Sequence, residues 1–238
     1  MASISGGGGG GGPSGPVIAV NVVVTPVGSL TQTNDQAALQ AIALRLDALE
    51  YVAPIVSGFS NNIGTVEIGS MVTTVNLSWT INKTVISQTL APPGPGSIAP
   101  SLRMYNVAGL SLVNDTSFAI TVGDSSHTSS ASTSVLFRNK RHWGTSAIAI
   151  PTSGTIATLA SEFATSRIQT RSMSPNSEYL YFAWPSTFGT PSFAVNGLPV
   201  TGWVKTTINY LNSSGHTKLY DIWRSQYQIT GTFSVVVS

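Results

Sequence analysis

The densest group of chemically able side chains is "RNKRHWG", Arg138 to Gly144. The chain of 238 residues has 11 Lys and Arg, and Arg138, Lys140 and Arg141 stand together here, beside His142 and Trp143. Such a knot has the donors to grip a phosphate, an acidic sugar or a neighbouring carboxylate. Three charges make few phosphate contacts, and no basic run flanks them, so nucleic acid is not an expected partner. Alternation along "SVLFRNKRHWG" sends Leu136 and Arg138 to one strand face and Phe137 and Asn139 to the other, with the strand leaving its sheet. Arg and Lys stems cover apolar surface while their charged heads reach outward. The reading favoured over a subunit contact or an anionic ligand site is an interdomain joint made by Arg138, Lys140, Arg141 and Trp143, with Gly144 allowing a turn.

Other chemistry is sparse. Cysteine is absent, which removes disulfides, thiolate metal sites and cysteine nucleophiles. No phosphate-binding G-x-x-x-x-G-K-[ST], zinc-binding H-E-x-x-H or nucleophilic G-x-S-x-G motif occurs. His127, His142 and His216 lie far apart, and a metal needs several ligands converging. Glu162 and Glu178 could serve as a glycosidase pair only by spatial accident. Glu162 is expected on the polar face of a short helix, and Glu67 and Asp124 at a strand end and a turn. No catalytic residue, metal or cofactor is therefore expected. Four Asn-x-Ser/Thr acceptor patterns, at Asn76, Asn82, Asn114 and Asn212, are what chance provides in a chain this rich in Ser, Thr and Asn. Trp203, Trp223 and Tyr227 are candidates for stacking on the rings of a host surface glycan. The competing reading is an aromatic core or subunit interface.

These side chains need a frame, and composition says which kind. Charged residues are 8% of the chain, against about 25% in ordinary soluble proteins. Ser, Thr, Asn and Gly fill the difference, which suits strands and turns better than surface helices. The net charge of +2 is too small to mark a nucleic-acid binder. No run of about 18 apolar residues appears, so membrane insertion is not expected. The first 16 residues lack the basic start and apolar core of a signal peptide.

The spacing predicts four segments. Residues 1–33 carry seven consecutive glycines, Gly6–Gly12, and a β-branched run "VIAVNVVVTPVG" that reads as a strand. The glycines are either an added linker or an arm anchored in an assembly. Residues 34–53 read as a short helix, capped by Asn34 or Asp35 and stopped at Pro54. Leu39, Ile42, Leu46 and Leu49 repeat there at intervals of three, four and three, the a–d rhythm of a coiled coil. Leu at a with Ile at d favours trimers or tetramers; the competing reading is a lone helix packed on its own domain. Residues 54–137 alternate as strands, with Val72, Val75, Leu77 and Trp79 as one buried series and "GDSSHTSSASTS" as a hairpin tip. Residues 138–238 open with a helix over "SGTIATLASEFATS", Leu159 and Phe163 inward. Strands follow at "EYLYFAWP", "PSFAVNG", "GWVKTTINYLN", "TKLYDIWRS" and "GTFSVVVS". The fold class expected is mainly β, a Gly-rich arm and short helix leading into two β-sandwich-like domains.

The mid-strand Trp of "VNLSWTIN", with Leu112, Thr116, Phe118, Ile120 and Val122, resembles the fibronectin type III and immunoglobulin-like sandwich pattern. Phe118 stands where that pattern has its corner Tyr, so the corner hydrogen bond is missing. "FSNNIGTVEIGSMVTTVNLSWTINKTVISQTL", "SLVNDTSFAITVGD", "VLFRNKRHWG", "EYLYFAWPSTFGTPSFAVNGLPVTGW" and "YDIWRSQY" together resemble structural modules of bacteriophage baseplates and tail fibres, over residues 55–238. The resemblance implies a non-enzymatic virion protein, a trimeric tail fibre or baseplate appendage, assembled in the host cytoplasm. Its partners would be two further copies and, through the N-terminal arm, other tail proteins. The alternatives are a glycan-binding receptor tip or a capsid decoration fibre.

Overall fold

The computed structural model describes residues 35–238; the Gly-rich arm and the strand read at "VIAVNVVVTPVG" lie outside the described residues. The chain forms two units, Met1–Ala53 and Pro54–Ser238. In the first, helix α1 spans Asp35–Glu50. Its 16 residues make a rod of about 24 Å. The apolar stripe expected of it is present and open: Leu39 is 66% exposed, Ile42 46%, Leu46 52% and Leu49 84%.

The second unit is built almost wholly of strands. They are β1 (Val56–Asn61), β2 (Thr65–Glu67), β3 (Val72–Ile81), β4 (Ser87–Leu90), β5 (Gly96–Ile98), β6 (Met104–Leu112), β7 (Thr116–Gly123) and β8 (Thr128–Ser146). A short helix α2 (Ser153–Ala157) follows, and then β9 (Ala160–Ala164), β10 (Gln169–Met173), β11 (Asn176–Pro185), β12 (Phe193–Val195) and β13 (Leu198–Val200). The last are β14 (Trp203–Leu211), β15 (Thr217–Ser225), β16 (Ile229–Thr230) and β17 (Phe233–Val237). The protein is mainly β, as its Ser/Thr/Val-rich composition predicts.

Toward the amino end of this unit, the sheet β1-β3-β6 faces the strands β5-β4-β7-β8 across one apolar core. Val72, Val75, Leu77 and Trp79 all point into it, as alternation predicts. The one break in strict alternation, between Val72 and Val75, coincides with a register shift against β6. Trp79 keeps its indole N–H satisfied in the core by donating to Gln88 Oε1 at 2.9 Å. Phe118 lies fully buried in the same core.

Toward the carboxyl end, β8, β11, β15 and β14 lie side by side, and β10-β17-β12-β13 form a four-stranded sheet. Strand β11 explains its own composition. Leu180, Phe182 and Trp184 enter a core shared with Met173, Phe193, Val235 and Val237. Tyr181 and Ala183 enter a different core on the opposite face, with Tyr210, Tyr220, Ile222, Ile156 and Leu159. A strand buried on both faces cannot alternate apolar with polar, hence the unbroken run "YLYFAWP".

Two local expectations are corrected. The helix over "SGTIATLASEFATS" stops after five residues, Ser153–Ala157, although Thr152 and Thr155 cap it reciprocally. Residues Ala160–Ala164 instead pair with Asn139–Trp143 of β8, because that edge needs partners for its backbone groups. Leu159 is buried as expected, but Phe163 is 39% exposed. The tip read at "GDSSHTSSASTS" is also shorter. Its turn ends at His127, and Thr128–Val135 pair with β7 residue for residue.

Since no acceptor for a tyrosine hydroxyl is called for at this Phe, Phe118→Tyr should destabilise the fold by about 1–3 kcal/mol in urea denaturation. A stabilised variant would show that the corner bond can form here after all.

Candidate functional site

The basic knot lies inside β8, which does not leave its sheet. The strand pairs with β7 through Thr128–Val135, with β2 through Leu136–Arg138, with β9 through Asn139–Trp143 and with β11 through His142–Ser146. One neighbour takes over as another ends, so every residue from Thr128 to Ser146 has a strand partner on at least one edge. Gly144 is part of this strand and makes no turn. A Cβ there would stand 3.1 Å from Leu159 Cδ2, so glycine serves close packing.

All three basic side chains are paired. Arg138 Nη1 lies 2.7 Å from Asp115 Oδ2. The Phe137 backbone N–H, donating to Asp115 Oδ1, and the guanidinium hold that carboxyl below its usual range. Lys140 Nζ is 3.6 Å from Glu67 Oε2. Arg141 Nε donates to Glu162 Oε1 at 2.7 Å, and Arg171 donates to the same oxygen. Burial raises the Glu162 carboxyl, but Arg141 and then Arg171 outweigh it and hold the group ionised. The Arg171 guanidinium lies 3.5 Å from the centre of the Trp143 ring, a stacked cation–π contact. Glu162 thus sits on β9 as the bridge between two arginines, rather than on a helix face. Such a network organises structure and leaves little positive charge for a ligand.

A second contact joins the two ends of the unit, and sequence reasoning missed it. The turn Glu67–Ser70 meets the β14–β15 hairpin tip at Asn212–His216. Asn212 Nδ2 donates to Ile68 O at 2.7 Å, and Asn212 Oδ1 accepts from the backbone N–H of Ser214 at 3.0 Å and of His216 at 2.8 Å. Ser213 Oγ donates to the buried Glu67 carboxylate, and the Ser70 and Ser214 hydroxyls meet at 2.7 Å. Gly69, at φ +97°, lets the turn press on the tip: a Cβ there would lie 2.4 Å from His216 Cβ. The turn signals of "EIGS" and "NSSGH" are each visible in sequence, but nothing local pairs segments so far apart. Lys140 reaches this clasp through Glu67; Arg138, Arg141 and Trp143 do not share in it.

His142, which stands beside the basic residues in sequence, faces inward and is 2% exposed. Its ring meets Tyr210 edge-on at 5.2 Å and Tyr220 at 6.0 Å. Neither ring nitrogen has a hydrogen-bond partner among the described residues. Burial first, then the nearby Lys140 charge, push its pKa down to about 4. It is a neutral imidazole used as packing. The Tyr220 hydroxyl donates instead to Lys140 O, at 2.7 Å.

The candidate sugar-stacking residues divide. Trp203 and Trp223 border one cleft of about 310 Å³, with Thr190, Pro191, Ser192, Phe193 and Thr201. Tyr227, 69% exposed, borders a neighbouring apolar groove of about 240 Å³, with Trp203 as the shared wall. Trp203 stacks on Phe193 with ring centres 4.0 Å apart. Beside Trp223, Lys205 Nζ is 2.8 Å from the buried Asp221 carboxylate. Burial raises that carboxyl, but Lys205 and the hydroxyls of Ser186 and Thr207 keep it below its usual range.

Among the described residues no three His, Asp or Glu side chains converge to hold a metal ion. No described helix is long and apolar enough to cross a membrane. No protein-family model and no curated protein matches the chain. Solved structures with some likeness include the N-terminal eight Ig domains of Down Syndrome Cell Adhesion Molecule, at 11% identity and TM-score 0.24, covering 74% of this chain and 23% of that one. A titin fragment is 11% identical with TM-score 0.26, covering 79% of this chain and 92% of that one. An I-band fragment of titin is 6% identical with TM-score 0.27, covering 79% and 61%. Likeness at this level carries no argument about fold family or function.

Gly69→Ala should cost about 1–3 kcal/mol, because it strains a left-handed turn and collides with His216. Denaturation midpoints measure this, and an unchanged midpoint would show that the clasp gives way freely. His142 makes a pH prediction whose sign is fixed. The unfolded chain takes up its proton near 6.5 and the folded chain only near 4, so stability is full above 6.5 and falls as pH drops toward 4. The loss is on the order of 3 kcal/mol. His142→Phe should flatten that slope in denaturation curves between those limits. The depressed carboxyls of Asp115, Glu162 and Asp221 titrate lower and leave this window largely to His142.

Proposed function

We propose that this chain is a non-enzymatic structural component of a tailed bacteriophage virion, a trimeric tail fibre or baseplate appendage attached by its N-terminal arm. The observation that carries the reading is the open stripe Leu39, Ile42, Leu46 and Leu49 on a helix of 16 residues. A helix so short is marginal alone, and burying its Leu and Ile against copies of itself supplies what it lacks. The layer of Leu39 at a with Ile42 at d favours trimers or tetramers over dimers, and three copies suit a fibre. The likeness of residues 55–238 to tail modules supports the virion assignment. The paired arginines and the clasp support a role in which the second unit holds its shape while attached.

Light scattering or sedimentation of the full chain should give three times the 24.8 kDa chain mass. The double substitution Ile42→Asp and Leu46→Asp should return it to the mass of one chain without altering the near-ultraviolet signature of the buried aromatics. A single-chain mass for the unsubstituted protein at high concentration would overturn the trimer. Absence of the chain from purified virions would overturn the attachment.

A further inference from the structure

We propose that the cleft between Trp203 and Trp223 binds a neutral carbohydrate. Its walls come from three places: Thr190–Phe193 before and in β12, Pro199–Thr201 at the end of β13, and the two tryptophans on β14 and β15. Its volume, about 310 Å³, lies at the small end of the range for small-molecule sites. Aromatic rings line it beside the hydroxyl-bearing residues Thr190, Ser192 and Thr201. That is the mixture a sugar needs, with C–H faces laid on rings and hydroxyls met by polar groups.

Two further observations set the ligand's chemistry. First, Trp203 and Trp223 each hold a buried indole N–H with no acceptor among the described residues. The core indole of Trp79, by contrast, is satisfied by Gln88. Both N–H groups are shut off from solvent, so what each indole offers a ligand is its ring, which suits the C–H face of a sugar. Secondly, no charged side chain among the described residues lines the cleft. The ammonium of Lys205, 5.6 Å from the Trp223 ring centre, is already neutralised by Asp221. An anionic sugar would find no counter-charge there, which favours a neutral one. Trp203 is held against Phe193, so its orientation is set before a ligand arrives. Tyr227 belongs to the adjoining groove and is outside the site.

The site does not depend on the trimer, so its failure and the failure of the assembly reading are separable. The test uses the full chain on an array of neutral and sialylated glycans, followed by calorimetry with the best neutral oligosaccharide found. Binding to one or more neutral glycans is expected. Trp223→Phe and Trp203→Phe keep a ring but narrow the stacking face, and each should weaken binding about 5- to 10-fold. Trp223→Ala should abolish it, and Tyr227→Ala should leave it unchanged. Near-ultraviolet circular dichroism checks that each variant is folded, and Thr201→Val provides a milder substitution in the wall should Trp223→Ala unfold. No neutral glycan bound, preference for sialylated glycans, binding of a proline-rich peptide in their place, or full affinity in both Trp→Phe variants would each overturn the proposal.

Discussion

The backbone of β8 is the constraint on which the second unit depends. Nineteen residues in one extended strand present a long row of donors and acceptors, and each must be met. Four neighbours meet them in succession. Strand β7 takes the first part, β2 the middle, and β9 and β11 the last. Its side chains are divided accordingly. Val135 and Phe137 enter the first core, His142 enters the two-tyrosine core, and Trp143 packs beside the core of the four-stranded sheet. A break in this strand would disturb all three cores at once.

Electrostatics follow from that arrangement. A chain with nine acidic residues sets three of them against the basic side chains of β8, and there they are spent on geometry. Asp115 fixes Arg138, Glu67 meets Lys140 and anchors the clasp, and Glu162 ties Arg141 to Arg171. Each pair is partly buried on at least one side, so it holds shape more than it adds net stability. The same economy leaves the aromatic cleft free of charge, which is why its ligand is read as neutral. Packing, ion pairing and the cleft are thus consequences of one layout.

Much of the layout was legible beforehand. Alternation in β3 exposed the series Val72 to Trp79, and turn residues set off β11, β12, β14, β15 and β17. Two errors share one cause. "SGTIATLASEFATS" has helical spacing and "SSASTS" looks like a loop, yet both contribute strand residues, because a partner edge was waiting for them. Propensity is a weak local preference, and unpaired backbone groups in a sheet outweigh it. His142 stands with the basic residues in sequence only. Its sequence neighbours are cations, but strand alternation turns it away from Arg141 and into a box of tyrosines.

The sequence by itself determined the β character, the position of the helix and its leucine stripe, and the buried series of β3. Those properties are periodic, and periodicity is written along the chain. Only the tertiary structure decided which turn meets which hairpin, which carboxylate each arginine holds, and that Trp203 and Trp223 share a cleft while Tyr227 does not. Those are meetings between residues remote in sequence. They depend on strand order and register, and no local spacing encodes either. The knot at Arg138–Gly144 shows both sides: its composition announced a structural role, and the path of β8 made that role a continuous strand rather than a bend.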